Sequence, residues 1–455
     1  MVRPQTKMSH PISIVQGGQY GSEAKGAIAA YLCQRDNVDF AVRTGATNAG
    51  HTVTYQGVRV AMQQLPCGWV NPTTILVIGA GALIDVDILK REIALINSLM
   101  PGSDVRSRLI IDPRAHIHRT VHKDRSTSSG RHYTMGATGK GCSEALMDRI
   151  RLRGVEDWSF QRYATYHDSS LQDLSVRDTE QLLNHGFDQG ARIQLEGTQG
   201  QLLDLYLGPY PYTTHKQTGP AQWMLECGLS PALPAEVTLV VRTFPIRVAG
   251  NSGPLPLETS WVTLAGDIND KRLKAGLPPI VDQGALDEFE AAVTTVARMF
   301  ALPPGSNGLD QHMWGAVDRT RYRSALSDLH RVALDTLEPE TITELRKLFE
   351  MTTVTKKLRR IAARSDFDLD IAARQARPAN VAVTFLNYVF PERWFTDDPV
   401  TDAELDYLSD IEEACGAPVT IVNRGPDPSH IVPVTQFRVG NITAHRDKGV
   451  IRTYA

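Results

Sequence analysis

Ile12-Ser13-Ile14-Val15-Gln16-Gly17-Gly18-Gln19-Tyr20-Gly21-Ser22-Glu23-Ala24-Lys25-Gly26 is the stretch that decides how this chain folds. The apolar run from Ile12 to Val15 reads as a buried strand. A glycine-rich turn follows, and then a helix-like run from Ala27 to Leu32. Strand, tight turn and helix in that order aim backbone N–H groups and a helix N-terminus at one point, where an anion is stabilised. Lys25 adds a point charge suited to phosphate, and Ser22 places a small hydroxyl in mid-turn.

The same alternation continues outward through the first 250 residues. Ile75–Ile78, Leu109–Asp112, Arg192–Leu195 and Val237–Arg242 read as buried strands, and Val86–Leu99 as a helix. Strands separated by helices imply an α/β fold with a largely parallel sheet, whose ligands sit at the carboxyl ends of the strands. From about 260 to 350 the pattern turns helical: Leu286–Phe300 and Ile342–Phe349 have helical spacing, and 303–308 is a Pro/Gly turn cluster. The remainder returns to α/β, with Val381–Leu386 and Val419–Val422 as strands and Asp402–Cys415 as a helix. The expected division is 1–259, an α/β nucleotide-binding core; 260–350, a helical insertion; and 351–455, the C-terminal α/β part.

The chain has 455 residues, enough for a large core, with 42% hydrophobic and 22% charged residues and a net charge of −3. That balance disfavours a nucleic-acid or membrane-surface partner. The five cysteines include no C-x-x-C pair, so neither a zinc site nor a disulfide framework is indicated. MVRPQTKMSH lacks the apolar segment of a signal peptide, and no run of about 18 apolar residues is present. A cytoplasmic location is expected.

Six polar, glycine-containing clusters interrupt the apolar runs. They are the 16–26 loop; Arg43 to Val53, containing NAGHT; Met135 to Gly141, containing GATGKG; Leu195 to Asp204, reading LEGTQGQLLD and running on to Tyr210–His215; Thr352 to Arg360; and Asn423 to Ser429. Singly, each has a bland reading: a glycine loop is usually a plain turn, a lone His51 is usually structural, and a Lys/Arg run is usually a solvated face. None is a Walker A motif, because the fragment ending Gly139-Lys140 lacks the earlier Gly and the following Ser/Thr.

Together, in this order, the clusters resemble the adenylosuccinate synthetase family over most of the chain. The resemblance implies a P-loop-NTPase-like α/β sheet, a homodimer, and a ligase joining L-aspartate to the 6-position of a purine nucleotide. A nucleoside triphosphate would activate the 6-oxygen as a 6-phosphoryl intermediate, with Mg²⁺. By the same resemblance, Lys25 lies near the transferring phosphate and His51 acts as catalytic acid toward the 6-oxygen and the γ-phosphate. Gly21, Glu23, Ala24, Gly26, Gly50 and Thr52 join them around the triphosphate, and Gly50 offers its carbonyl to Mg²⁺. Asn48, Thr138, Gln199 and Thr214 contact the purine nucleotide. Thr355, Lys357 and Arg359 grip the aspartate carboxylates. Gly425 and Pro426 wall the triphosphate's base pocket.

The chain departs from the family in informative places. Ser22 stands where the family has an Asp that deprotonates purine N1 and binds Mg²⁺; the resemblance carries Ser22 over as the catalytic and Mg²⁺-ligand position, although a neutral hydroxyl does either poorly. The shorter, uncharged side chain makes room beside C2, and its oxygen can accept from a 2-amino group. Ser22 thus points to a guanine nucleotide, as in the bacteriophage-type 2-aminoadenylosuccinate synthetases that act on dGMP to supply diaminopurine. Lys357 and Leu358 replace a ribose-contacting arginine, which suits deoxyribose. Where the family reads guanine with a T-K-x-D segment, this chain has Thr384-Phe385-Leu386-Asn387. The amide matches adenine's edge and Phe385 is placed to stack on the base, so ATP or dATP is expected as phosphoryl donor. An arginine that reaches the partner subunit's nucleotide phosphate aligns at Leu152, so Arg151 or Arg153 would have to substitute.

The expected activity is therefore ATP-driven condensation of L-aspartate with dGMP. The alternatives are an ordinary synthetase acting on IMP and a catalytically silent nucleotide-binding protein. Three candidates stand for the N1 proton acceptor: a water held by Ser22, Glu23, or the substrate aspartate.

Overall fold

The computed structural model describes residues 10–130, 137–151, 168–299, 330–352 and 358–435. Arg153, Thr355, Lys357 and the 303–308 turn cluster lie outside the described residues.

Among the described residues, ten strands form one central sheet in the order Ile431–Pro433, Val419–Asn423, Asn380–Thr384, Ala235–Arg242, Ile12–Gly17, Ile193–Glu196, Phe40–Arg43, Ile75–Ile78, Leu109–Ile111 and Ser175–Val176. All neighbours pair in parallel except Ile431–Pro433, which runs antiparallel to Val419–Asn423 at one edge. Both faces are buried, as a parallel sheet requires. Side chains alternate between two cores: Val15, Ala41, Leu76 and Ile78 face one, and Ile14, Val42 and Val77 the other. The strand carrying the opening sequence lies mid-sheet, between Ile193–Glu196 and Ala235–Arg242. The glycine turns that follow these strands therefore emerge side by side.

Several predicted elements form as read, with local chemistry that explains their ends. The helix Val86–Leu99 begins where the Asp85 carboxylate accepts the Ile88 N–H. The helix Asp402–Cys415 has a capping box between Thr401 and Glu404 and ends at Gly416 with φ of 62°. Two elements are shorter or shifted. The strand predicted to Leu386 stops at Thr384, because Phe385 turns left-handed (φ 58°) and Leu386–Tyr388 coils into a 3₁₀ turn. The helix predicted from Ile342 runs from Pro339 to Leu345, with the proline in its first turn.

The helices Trp261–Lys274, Gln283–Met299 and Pro339–Leu345 gather around their own apolar cluster, which includes Trp261, Leu264, Phe289 and Phe349. Leu358, Ile361 and Tyr388 from the C-terminal part belong to the same cluster. A three-stranded antiparallel sheet of Ile246–Arg247, Arg360–Ala362 and Glu258–Thr259 adjoins it. Among the described residues, no helix is long and apolar enough to cross a membrane.

Candidate active site

The first loop is held from inside. Glu23 folds back and accepts the N–H groups of Gln19 (3.0 Å) and Gly21 (2.8 Å), while its other oxygen meets Lys25 Nζ at 2.6 Å. Glu23 and Lys25 are 0% and 3% exposed, so this ion pair is desolvated and its geometry is fixed. Ser22 and Ala24 take left-handed φ values of 61° and 60°, a strain tolerated where the surrounding contacts impose it. The outcome is an exposed Ser22 at the loop tip, over a buried carboxylate and ammonium.

The fourth cluster packs directly on this loop. A Cβ at Gly200 would lie 2.1 Å from the Gln19 carbonyl oxygen, so only glycine allows the contact. Gln199, itself left-handed at φ 63°, is brought over the first loop. Gly26 does the same for the second cluster: a Cβ there would meet His51 Cβ at 2.8 Å and Cys67 Sγ at 3.0 Å. Lys25, His51, Ser22 and Gln199 are thereby drawn to one end of the sheet.

His51 sits in a buried polar network that its motif does not announce. Glu196 and Arg43 are register partners on adjacent parallel strands, and Arg43 Nη1 donates to Glu196 Oε1 at 2.9 Å. The same carboxylate takes a very short hydrogen bond from His51 Nδ1 and the backbone N–H of Cys67. Arg43 Nη2 also donates to the Ala49 carbonyl at 2.7 Å, pinning the turn before Gly50. Burial alone pushes the Glu196 carboxyl up, but His51, Arg43 and the Cys67 amide hold it down, to about 2. Burial, with Arg43 and Lys25 close by, pushes the His51 imidazole down to about 4 against the pull of Glu196. His51, Cys67 and Glu196 place three potential ligand atoms within 4.8 Å of one another. With Arg43 on the carboxylate and the buried Cys67 thiol raised well above its usual value, the trio is a hydrogen-bonded network instead of a metal seat.

Ser22 is also met from the far side. Arg359 Nη1 donates to Ser22 Oγ at 2.7 Å, and Arg242 Nη1 to the Ser22 carbonyl at 3.2 Å. Glu350 ties these arginines: its carboxylate takes Arg242 Nη2 at 2.5 Å, and its carbonyl accepts the Arg359 N–H at 2.9 Å. The Arg242 guanidinium lies 3.8 Å over the Phe385 ring, so one face of that ring is already occupied by a cation.

The third cluster rests on stacked histidines. The His118 and His122 rings stack with centroids 5.7 Å apart and planes nearly parallel, at 4°. Gly141 packs so closely on the helix Thr120–Ser128 that a Cβ would sit 2.4 Å from the His122 carbonyl carbon. Thr138, Thr214 and Asn48 are half-buried. At the sixth cluster Gly425 lies against His430 and Phe395, leaving no room for a side chain. Its neighbour Arg424 is turned inward, fully buried, and paired with Glu404 through two hydrogen bonds of 2.9 and 2.8 Å. Asn387 is 3% exposed, and its Oδ1 accepts no hydrogen bond.

Of the predicted N1 proton acceptors, Glu23 is spoken for by two backbone amides and Lys25. Of the two predicted Mg²⁺ ligands, Gly50 is exposed with open space around it, which fits a hard cation held mainly by phosphate oxygens. Ser22 Oγ already accepts from a guanidinium, so a dication there would face a neighbouring positive charge. Glu196, Arg43 and Glu350 are the functional groups that motif reading left without a role. Arg43 and Glu196 were visible as the polar residues ending two apolar runs; Glu350 carried no such signal.

A buried lysine at a helix start and a histidine held by a carboxylate stand beside the glycine turns of a parallel sheet, which defines an α/β protein built to hold an anionic ligand at that point. The adenylosuccinate synthetase family model matches residues 14–159 and 154–276, and the chain belongs to that family. The adenylosuccinate synthetase of Methanococcus maripaludis strain C5 is 35% identical over 249 residues, covering 54% of this chain and 69% of its own length. That of Thermococcus sibiricus is 28% identical over 433 residues, covering 94% and 99%. Among solved structures, the cyanophage S-2L succinoaminodeoxyadenylate synthetase bound to dGMP and dATP as an energy donor shares the fold, with TM-score 0.63, 24% identity, and 93% and 95% coverage. Fully ligated adenylosuccinate synthetase from Plasmodium falciparum has TM-score 0.62, 16% identity, and 94% and 100% coverage.

Proposed function

We propose that this enzyme condenses L-aspartate with dGMP, using ATP or dATP to phosphorylate the purine 6-oxygen, and gives N6-succino-2-amino-2′-deoxyadenylate. The observation that carries the reading is Ser22: a short neutral hydroxyl at the loop tip, in place of the family's Asp, with its oxygen held by Arg359. A carboxylate there would crowd a 2-amino group, whereas the hydroxyl oxygen retains a lone pair to accept from it. The cyanophage enzyme, whose structure holds dGMP and dATP, supports the same assignment.

In this reading the chain's residues divide the work. Lys25, fixed by Glu23, stabilises charge developing on the transferring phosphoryl group. His51 acts as an acid toward the 6-oxygen and the γ-phosphate in its imidazolium form, because its Nδ1 hydrogen is already engaged by Glu196. Asn48, Thr138, Gln199 and Thr214 hold the nucleotide, with Arg153 as an added phosphate contact. Arg359, with Thr355 and Lys357, binds the aspartate carboxylates, and its hydrogen bond to Ser22 sets the two substrates side by side. Asn387 Oδ1, buried and lacking a donor, suits the exocyclic amine of adenine, and the guanine 6-oxygen would repel it. Gly50 would hold Mg²⁺, which neutralises phosphate charge when bound. The homodimer, with host cytoplasm as its setting, belongs to the same proposal.

Phosphate release tests it, measured with aspartate across dGMP, GMP and IMP and with ATP or GTP. Turnover with dGMP and ATP, and little with IMP, is expected. Preference for IMP overturns the substrate assignment, and binding without turnover in every combination overturns the enzymatic reading.

A further inference from the structure

We infer that Glu196 is a positioning residue for His51: it fixes the imidazole's tautomer and direction, so that Nε2 alone faces the reacting phosphoryl group. The inference rests on the ligase reading above for the role of His51, but its geometry stands independently.

Glu196 ends the central strand Ile193–Glu196, so its Cα is fixed by parallel pairing on both sides. Both carboxylate oxygens are used: Oε1 by Arg43 Nη1 and His51 Nδ1, Oε2 by the Cys67 amide. An ionised carboxylate only accepts hydrogen bonds, so the proton must lie on His51 Nδ1. The other ring nitrogen, Nε2, is left for the substrate: it accepts in the neutral ring and donates only in the imidazolium, the form that a bound triphosphate's negative charge and Glu196 both favour. Arg43 balances the charge and, through the Ala49 carbonyl, holds the backbone two residues before His51. The imidazole is thus gripped at its ring and along its main chain by one cross-strand pair. This resembles the carboxylate that orients a catalytic histidine in hydrolase triads, where the wrong tautomer costs orders of magnitude in rate. Packing leaves the ring little alternative, since Gly26 closes on His51 Cβ from the neighbouring helix.

Two measurements test it. In the wild-type enzyme labelled with ¹⁵N-histidine, the His51 signal, assigned by its loss in His51→Gln, is expected to report the Nδ1–H tautomer near neutral pH. An Nε2–H tautomer overturns the inference, and this readout needs neither substrate nor a folded Glu196 variant. In Glu196→Gln, checked for folding by circular dichroism, kcat for phosphate release is expected to fall roughly 10²-fold. The KM for aspartate should stay within about twofold, because aspartate binds elsewhere. An unchanged kcat, or a raised KM with kcat intact, overturns the inference. The assay uses whichever purine nucleotide the wild type turns over, so failure of the dGMP assignment leaves this test standing.

Discussion

Arg359 Nη1 donates to Ser22 Oγ at 2.7 Å, joining a residue of the proposed aspartate site to the tip of the first nucleotide loop across 337 positions of sequence. Glu350 holds the backbone of Arg359 and the guanidinium of Arg242, which in turn donates to the Ser22 carbonyl. A change at Ser22 therefore acts on both substrates. Ser22→Asp would place a carboxylate against Arg359 and against the purine 2-position. We expect kcat/KM for dGMP to fall at least about tenfold, worth about 1.4 kcal/mol, while the ratio of IMP to dGMP turnover rises. Phosphate release with each nucleotide measures this; an unchanged ratio contradicts the size argument.

Asn387→Asp should change the phosphoryl donor. A carboxylate accepts from guanine N1 and N2 but offers no donor to adenine N1. The variant is expected to lose about tenfold or more in kcat/KM with ATP and to gain activity with GTP. Titration of both donors at saturating aspartate and nucleotide checks it. Equal donor preference before and after would assign Asn387 a structural role only.

Arg424 precedes the Gly425-Pro426 pair of the sixth cluster, and its side chain faces the core. Arg424→Met leaves the buried Glu404 carboxylate without its partner, a change that costs about 3–5 kcal/mol. A marked drop in the urea midpoint is expected, together with unchanged KM values in the protein that remains folded. A raised KM for ATP at unchanged stability would move Arg424 into the binding site.

The histidines beneath the third cluster set an acid limit on stability. Burial pushes His118 down to about 4 and His215 to about 3, with His122 and Lys123 adding to the first and Lys216 to the second. Burial and Arg149 hold His116 at about 4. Their folded values lie below the unfolded value of about 6.5, so the unfolded chain binds more protons as pH falls. Stability from these groups is present above about pH 6.5 and is lost between there and about pH 4. Melting temperature should decline from pH 7 to pH 5, and His118→Gln should flatten the slope by about one proton. A flat wild-type profile contradicts this.

Gly200→Ala tests the contact between the first and fourth clusters. The added methyl would lie 2.1 Å from the Gln19 carbonyl oxygen, so the two loops must part. Nucleotide binding, followed by calorimetry, is expected to be lost or greatly weakened, while Gly266→Ala, with open space around it on a helix, leaves binding unchanged.

Much of this was legible in the chain itself. Local periodicity determined the strand Ile75–Ile78, the helix Asp402–Cys415 and, as Val237–Arg242, most of the strand Ala235–Arg242, because apolar spacing and caps are encoded within a few residues. The six clusters, by type and order, determined the family, and Ser22 and Asn387 were conspicuous as departures from it. What the sequence could not express was which distant polar groups meet. Arg43 and Glu196 become partners only because their strands lie next to each other, an order fixed by sheet topology. Glu23 looked available as a ligand or base until the loop closed around it. Phe385 read as part of a strand running to Leu386, but it turns left-handed beneath the Arg242 guanidinium. Arg424, which the sequence left without a role, is buried against Glu404. Sequence thus determined the residues and elements, since those depend on short-range patterns. Tertiary structure decided pairing, burial and charge compensation, since those depend on which chain ends the sheet brings together.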